Sequence, residues 1–246
     1  MMKRILIMLS MFIFFGNVAY AKVIHQNYKA TFGIFGTVGY IKNKISKNSE
    51  TYKIVTTVNL EGVAKVLLGG QKEYYVSKGH MKNGLMISDF YEMTTTKGKK
   101  KKVKTYTINH KKKYVTKRYR KYKDGKLIKE TTSTLNFYAK DDLLTLYFNL
   151  GTAVTKKGKT YHFKAVGLEK QQGKVQITVP NKAQQALYVK DLGEGASLYA
   201  KALIVQKNFK NKKGDILLSL AKDGYIQNTV IKDLLLYGDA KITRLK

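Results

Sequence analysis

The sequence contains no cysteine. Disulfides, thiol nucleophiles and thiolate metal sites are therefore excluded together. Acids are scarce: 16 Asp and Glu stand against 47 Lys and Arg, a formal net charge of +31. Arginine is scarce as well, confined to Arg4, Arg118, Arg120 and Arg244. An AT-rich coding bias accounts for lysine over arginine, but not for the shortage of acids. The histidines are only His25, His80, His110 and His162. None are spaced i, i+2 or i, i+4, so the sequence offers no ready ligand set and we read no metal site. Beyond residue 21 no stretch approaches the 18 or so apolar residues of a spanning helix.

What is present begins with a leader. Lys3 and Arg4 precede an apolar run, Ile5 to Phe15, that is too short for a span of about 20 residues. Small residues at Ala19 and Ala21 have the spacing of a signal-peptidase site. Residues 1–21 thus read as a signal peptide and 22–246 as one β-rich domain. No cysteine follows the run, so the exported protein is not a lipoprotein, and the expected location is the periplasm. Loss of Lys3 and Arg4 leaves +29 of the +31.

The mature chain alternates apolar and polar residues with period two, as in Tyr28, Ala30, Phe32, Ile34 and in Tyr52, Ile54, Val58, Leu60. The same holds for Ile216, Leu218 and Leu220, with Leu217 and Ser219 on the other face. Such strands put one face on a core and one toward water. Turn signals recur at Lys47-Asn48-Ser49, Lys82-Asn83-Gly84, Asp124-Gly125, Gln172-Gly173, Lys213-Gly214-Asp215 and Asp223-Gly224. The spacing predicts an antiparallel meander: a strongly curved sheet or partly closed β-barrel with one or two short helices. One helix follows Asp141-Asp142, capped by an aspartate and ended by Gly151. Leu143, Leu146, Tyr147 and Leu150 form its apolar face, with Thr145 and Asn149 opposite. Gly62 to Leu68 is a weaker helix, and Asn181 to Leu192, after Pro180, is open to either assignment.

These motifs resemble the exported bacterial family called domain of unknown function 3108. The resemblance rests on Gly33 to Gly39 as a first hairpin, on Tyr74-Tyr75-Val76-Ser77-Lys78-Gly79, on Asp141 to Tyr147, and on a closing hairpin from Asp215 to Leu245 with Gly238 before the last strand. The proline usual in that hairpin is missing between Asp223 and Val230. The resemblance implies a curved antiparallel fold in the bacterial envelope and implies no catalytic residues.

Residues Lys97 to Lys129 carry sixteen basic side chains and one acid, Asp124. Lys104–His110 and Tyr114–Lys123 should pair around Lys111-Lys112-Lys113 and gather this charge on one ribbon. The candidate anion-binding residues are Lys99, Lys100, Lys101, Lys102, Lys104, Lys111, Lys112, Lys113, Lys117, Arg118, Arg120 and Lys121. The competing explanation is an edge strand that lysines protect from pairing. In an envelope the accessible polyanions are lipid head groups, lipopolysaccharide phosphates and acidic polysaccharides, and nucleic acid is not expected. No catalytic constellation appears: Ser77 lacks a Gly-X-Ser-X-Gly context, and Gly33-Ile34-Phe35-Gly36 is not followed by a helix. Lysines on the non-core faces, and an end at Arg244-Leu245-Lys246, also argue against an outer-membrane barrel. The reading is a non-enzymatic envelope protein without cofactor that binds an amphiphile or an anionic glycolipid or membrane surface. The alternative is a structural partner of another envelope protein.

Overall fold

The computed structural model describes residues 21–67, 69–205, 213–234 and 238–245. Most of the leader, Ala19 included, lies outside the described residues, and Ala21 immediately precedes the first strand.

Eight strands run as a meander: β1 (Lys22–Phe32), β2 (Thr37–Lys47), β3 (Thr51–Leu60), β4 (Lys72–Lys82), β5 (Leu85–Lys97), β6 (Lys100–Asn109), β7 (Tyr114–Lys123) and β8 (Lys126–Thr134). Each is antiparallel to the one before. The chain then crosses to β9 (Asp141–Asp142), enters α2 (Leu143–Ala153) and returns in β10 (Thr160–Val166), which pairs with β9 in parallel. The strands β11 (Lys174–Thr178), β12 (Leu198–Val205), β13 (Lys213–Leu220), β14 (Ile226–Leu234) and β15 (Gly238–Arg244) complete the sheet, and β15 pairs with β1. The result is one 15-stranded sheet, open between β8 and β9.

The sheet curls until it nearly meets itself. The Ser88 amide on β5 donates to the Lys140 carbonyl at 3.0 Å. Tyr91, Tyr106, Ile108 and Val115 pack on Phe137, Ala139 and Val166 across the same seam. Residues 135–142 thus form a strap that bridges the gap. Beyond it β7 and β8 project as a flange, and β8 is exposed at every residue. The expected partly closed antiparallel barrel is what forms. The turn expected at Asp124-Gly125 joins β7 to β8, and a register shift between Lys121 and Tyr122 pairs Tyr119 with Thr131. The edge strand is β8 rather than the basic strand β7.

Three local expectations are corrected. Lys213-Gly214-Asp215 is not a turn; it opens β13, paired with Val205, Ile204 and Leu203. Ile34 continues the alternation of β1 in sequence, but it falls in a 3-10 turn and is 96% exposed. Gly151 does not end α2, which runs on to Ala153. A Cβ at Gly151 would lie 2.3 Å from the Gly224 carbonyl oxygen, so glycine here permits close packing on the β13–β14 turn.

The other helices place the layers. The short α1 (Gly62–Leu67) lies beside the β1–β2 turn, where the Glu61 amide donates to the Val38 carbonyl at 2.9 Å. The open segment after Pro180 becomes α3 (Gln185–Leu192), which covers the outer face of β12–β14 through Leu192, Tyr199, Leu217 and Val230. That cover is why Leu217 is buried although period two puts it on the water face.

Candidate ligand-binding cavity

The barrel has two unlike ends. At one end lie the β2–β3, β4–β5, β6–β7 and β13–β14 turns, and α2 plugs it. Leu146 and Leu150 pack on Val175, Ile177, Ala202 and Leu218, while Phe148 packs on Ile45, Ile54 and Met86. The helix is buried on its polar side too. Thr145 and Asn149, expected to face away from the core, are buried. Asn149 holds β5 with both ends of its amide, accepting from the Met86 amide at 3.1 Å and donating to the Met86 carbonyl at 2.8 Å.

The cap expected at Asp141 or Asp142 falls on Asp142, which does more than cap. Its Oδ1 accepts from the Leu144 and Thr145 amides at 2.8 and 3.0 Å. Its Oδ2 accepts from the hydroxyls of Ser77, Ser88 and Thr145 at 2.5, 2.6 and 3.0 Å. Tyr52 joins this cluster, 2.8 Å from the Thr145 hydroxyl. Burial pushes the Asp142 carboxyl up, and these donors pull against it. Ser77 is fully buried with its hydroxyl spent on Asp142, so it is part of the plug's anchor and is not placed to attack a substrate. Beside it Asp141 is buried with Oδ1 unpartnered among the described residues. Burial raises its carboxyl to about 6, against the pull of Lys140, with Asp142 adding to the rise.

Above the plug lies a cavity of about 470 Å³. Its walls are Tyr28, Ile41, Val58, Tyr91, Met93, Ile216, Ile231 and Ile242, with Tyr147 and Leu143 as its floor. Polar groups are few. Asn43 accepts from Thr56 at 2.6 Å and donates to the Gln26 carbonyl at 2.7 Å, so that pair is already satisfied. Tyr75 donates to Glu73, and burial together with that carboxylate raises the phenol. Six inward-facing apolar residues stay partly exposed: Ile41, Val58, Met93, Ile216, Ile231 and Ile242. All lie toward the end opposite α2.

That end carries the β1–β2 and β5–β6 turns and α1. Three apolar side chains stand out from it: Ile34, Val66 at 79% exposure, and Val63. Lys97 reaches Gly69 here, linking the β5–β6 turn to the α1 connection.

The structure divides the basic candidates. Lys99, Lys100, Lys101 and Lys102 lie at the open end, with Lys121 beside Lys102 on β7. Lys111, Lys112 and Lys113 lie on the β6–β7 turn at the plugged end. The ten residues of β6 separate the two groups by roughly 30 Å at ~3.3 Å per residue. The expected pairing around Lys111-Lys112-Lys113 forms as the β6–β7 ribbon, and the exposed lysines Lys99–Lys102 and Lys111–Lys113 fall at its two ends.

Several candidates are tied into the fold. Lys117 donates to Glu169 at 2.7 Å, and Tyr106 donates to the same carboxylate. Burial pushes Glu169 up, but these two bonds and Lys104 outweigh it and hold the carboxyl below its usual range. Arg118 pairs with Glu130 at 2.5 Å, and Lys99 lies 3.5 Å from Asp124. Arg120 has a buried Nε without a partner among the described residues, and Lys101 lies over the Tyr122 ring. Lys100, Lys102, Lys111, Lys112 and Lys113 are exposed.

The scattered histidines are the feature that sequence reasoning missed. His80 and His110 face each other across Asp89, with ring centroids 5.5 Å apart. Thirty residues separate them along the chain, and only the β4–β5–β6 meander brings them together.

The chain matches no family model and no curated protein. Among solved structures it is similar to a β-barrel-like protein of domain of unknown function 1849 from Brucella abortus. The likeness covers 93% of this chain and 97% of that one, at 10% identity and a TM-score of 0.48. No helix among the described residues is long and apolar enough to cross a membrane.

Proposed function

We propose that this is a non-enzymatic, exported envelope protein that holds the apolar chain of an amphiphile inside its barrel. The supporting observation is the set of inward-facing residues Ile41, Val58, Met93, Ile216, Ile231 and Ile242, which line the cavity and stay partly exposed. A volume near 470 Å³ lies within the range of small-ligand pockets, about 300–1,000 Å³. Ten methylenes buried there would contribute about 8 kcal/mol before the costs of binding. The periplasm is the proposed location, from the leader.

The open end supports contact with an anionic membrane. Ile34, Val63 and Val66 project beside Lys97 and Lys99–Lys102, an arrangement suited to apolar insertion among negative head groups. The ligand's head group would then stay at the rim while its chain enters.

Extraction of the natively purified protein with organic solvent should release an acyl-chain lipid near one equivalent. Ile41→Trp, which fills the cavity, should remove both that lipid and the binding of a fluorescent fatty acid. Absence of lipid, together with no fatty-acid binding by the parent, overturns the reading. A second reading is favoured by one observation: β8 ends the sheet, with no strand on its outer side among the described residues, and its Leu127 and Ile128 are half exposed. Such an edge can accept a strand from another envelope protein.

A further inference from the structure

We infer that His80, Asp89 and His110 form a site for a divalent transition-metal ion of the zinc class, on the outer wall of the barrel at its plugged end. One ligand atom from each residue falls within 4.8 Å of the others. His80 Nδ1 lies 3.0 Å from Asp89 Oδ2, and His110 Nε2 lies 3.0 Å from Asp89 Oδ1. Ligands at 2.0–2.1 Å around a tetrahedral ion stand about 3.3 Å from one another. The two imidazole–carboxylate pairs are already near that spacing, and a bound ion would replace the protons they now share. Two imidazoles and a carboxylate suit zinc or copper rather than calcium or magnesium, which prefer oxygen. The fourth position would fall to water, because the three side chains are 41%, 46% and 27% exposed.

The backbone is built to aim these groups. The β4–β5 ladder shifts register between Lys78 and Gly79, which pair with Phe90 and Ser88 and leave Asp89 as the extra residue. That bulge lets Ser88 point inward to Asp142 while Asp89 points out beside His80. Only glycine fits at position 79, since a Cβ would lie 1.9 Å from the Ile87 carbonyl oxygen.

His110 also has the outer support typical of a metal-bound imidazole. Its Nδ1 lies 2.8 Å from the Tyr138 hydroxyl on the strap. With Nδ1–H donated to that oxygen, Nε2 is freed as the ligand atom. Nε2 is also 2.9 Å from the Ser88 carbonyl oxygen, a further oxygen within reach of the site. The ion would thereby join the β6–β7 turn to the β4–β5 bulge, next to the strap that carries the plug's cap.

The test is isothermal titration calorimetry of the purified protein with zinc chloride, repeated with cobalt to read the visible absorption of a tetrahedral centre. One ion per chain is expected, with a rise in melting temperature on addition of zinc. His80→Ala, His110→Ala and Asp89→Asn should each weaken binding at least tenfold and abolish the cobalt band. Tyr138→Phe, which removes no ligand, should weaken it roughly tenfold. His25→Ala and His162→Ala, at exposed histidines elsewhere, should leave it unchanged. Circular dichroism separates loss of binding from loss of fold. The inference is overturned if the folded parent takes up no zinc, or if the Asp89 and His110 variants bind as well as the parent.

Discussion

Replacing Asp141 by asparagine should stabilise the protein, and only above mildly acidic pH. The Asp141 carboxyl is buried, its Oδ1 has no partner among the described residues, and burial raises it to about 6. In the unfolded chain an aspartate ionises near 3.9. Between about pH 4 and pH 6 the native state therefore holds a proton that the unfolded state has lost. Stability from this group is fully present below pH 4 and falls as pH rises through 6. The full loss is about 3 kcal/mol by pH 7.5, from the two-unit difference at 1.36 kcal/mol each. An asparagine side chain at this position would be neutral at every pH and would escape that loss. The difference between variant and parent should thus grow by up to about 3 kcal/mol from pH 4 to pH 7.5. For a chain of this size that is roughly 6–12 °C in melting temperature. Urea unfolding followed by far-ultraviolet circular dichroism at pH 4, 5, 6 and 7.5 measures it. A difference that stays flat across this range, or grows toward acid, refutes the account of a strained, buried carboxylate.

Asp142→Ala removes the cap and strands the buried hydroxyls of Ser77, Ser88 and Thr145, of which Ser77 and Thr145 can partly re-pair with each other and with Tyr52. A loss of about 3–5 kcal/mol is expected in the same unfolding assay, and a loss under 1 would mean the plug is held otherwise. Gly151→Ala, which in an isolated helix would gain up to ~1 kcal/mol, should instead destabilise by 1–3 kcal/mol because its Cβ meets the Gly224 backbone; thermal unfolding gives the sign. Replacing Lys100, Lys101 and Lys102 with glutamine should weaken flotation on anionic vesicles about 100-fold, at about 1 kcal/mol per lysine. The same change at Lys111, Lys112 and Lys113 should have little effect, and equal losses from the two triplets would contradict docking by the open end.

The architecture was legible because most strands have one buried face. Period two in Tyr52, Ile54, Val58 and Leu60 places β3 correctly, and Asp142 announces the cap of α2. The errors fall where a second layer or a bulge overrides the local pattern. Leu217 is buried because α3 covers the outer face of its strand. Thr145 and Asn149 are buried because α2 enters the barrel rather than lying across it, so its polar side meets Ser77, Tyr52 and Met86. The His80–Asp89–His110 cluster was invisible for a similar reason. Its members are joined by strand pairing and by one extra residue on β5, neither of which leaves a spacing motif. The cavity, too, depends on how far apart the walls stand, which residue type alone does not set.

The basic segment forms the one ribbon expected of it, β6 paired with β7, but the length of β6 sets its two ends far apart, and screening then decides which end can matter. At physiological ionic strength exposed charges act over about 8 Å. With the open end on a membrane, the lysines of the β5–β6 turn lie within that distance. The β6–β7 turn, roughly 30 Å up the strand at ~3.3 Å per residue, does not. The salt dependence of vesicle binding should therefore count only the open-end lysines, well short of the sixteen basic residues in the segment. The apolar residues Ile34, Val63 and Val66 stand at that same end, so under the proposed membrane contact insertion and electrostatics would select one orientation. In that proposed orientation the cavity mouth would face the bilayer, and the bulge bearing Asp89 would face the aqueous side, open to a metal ion.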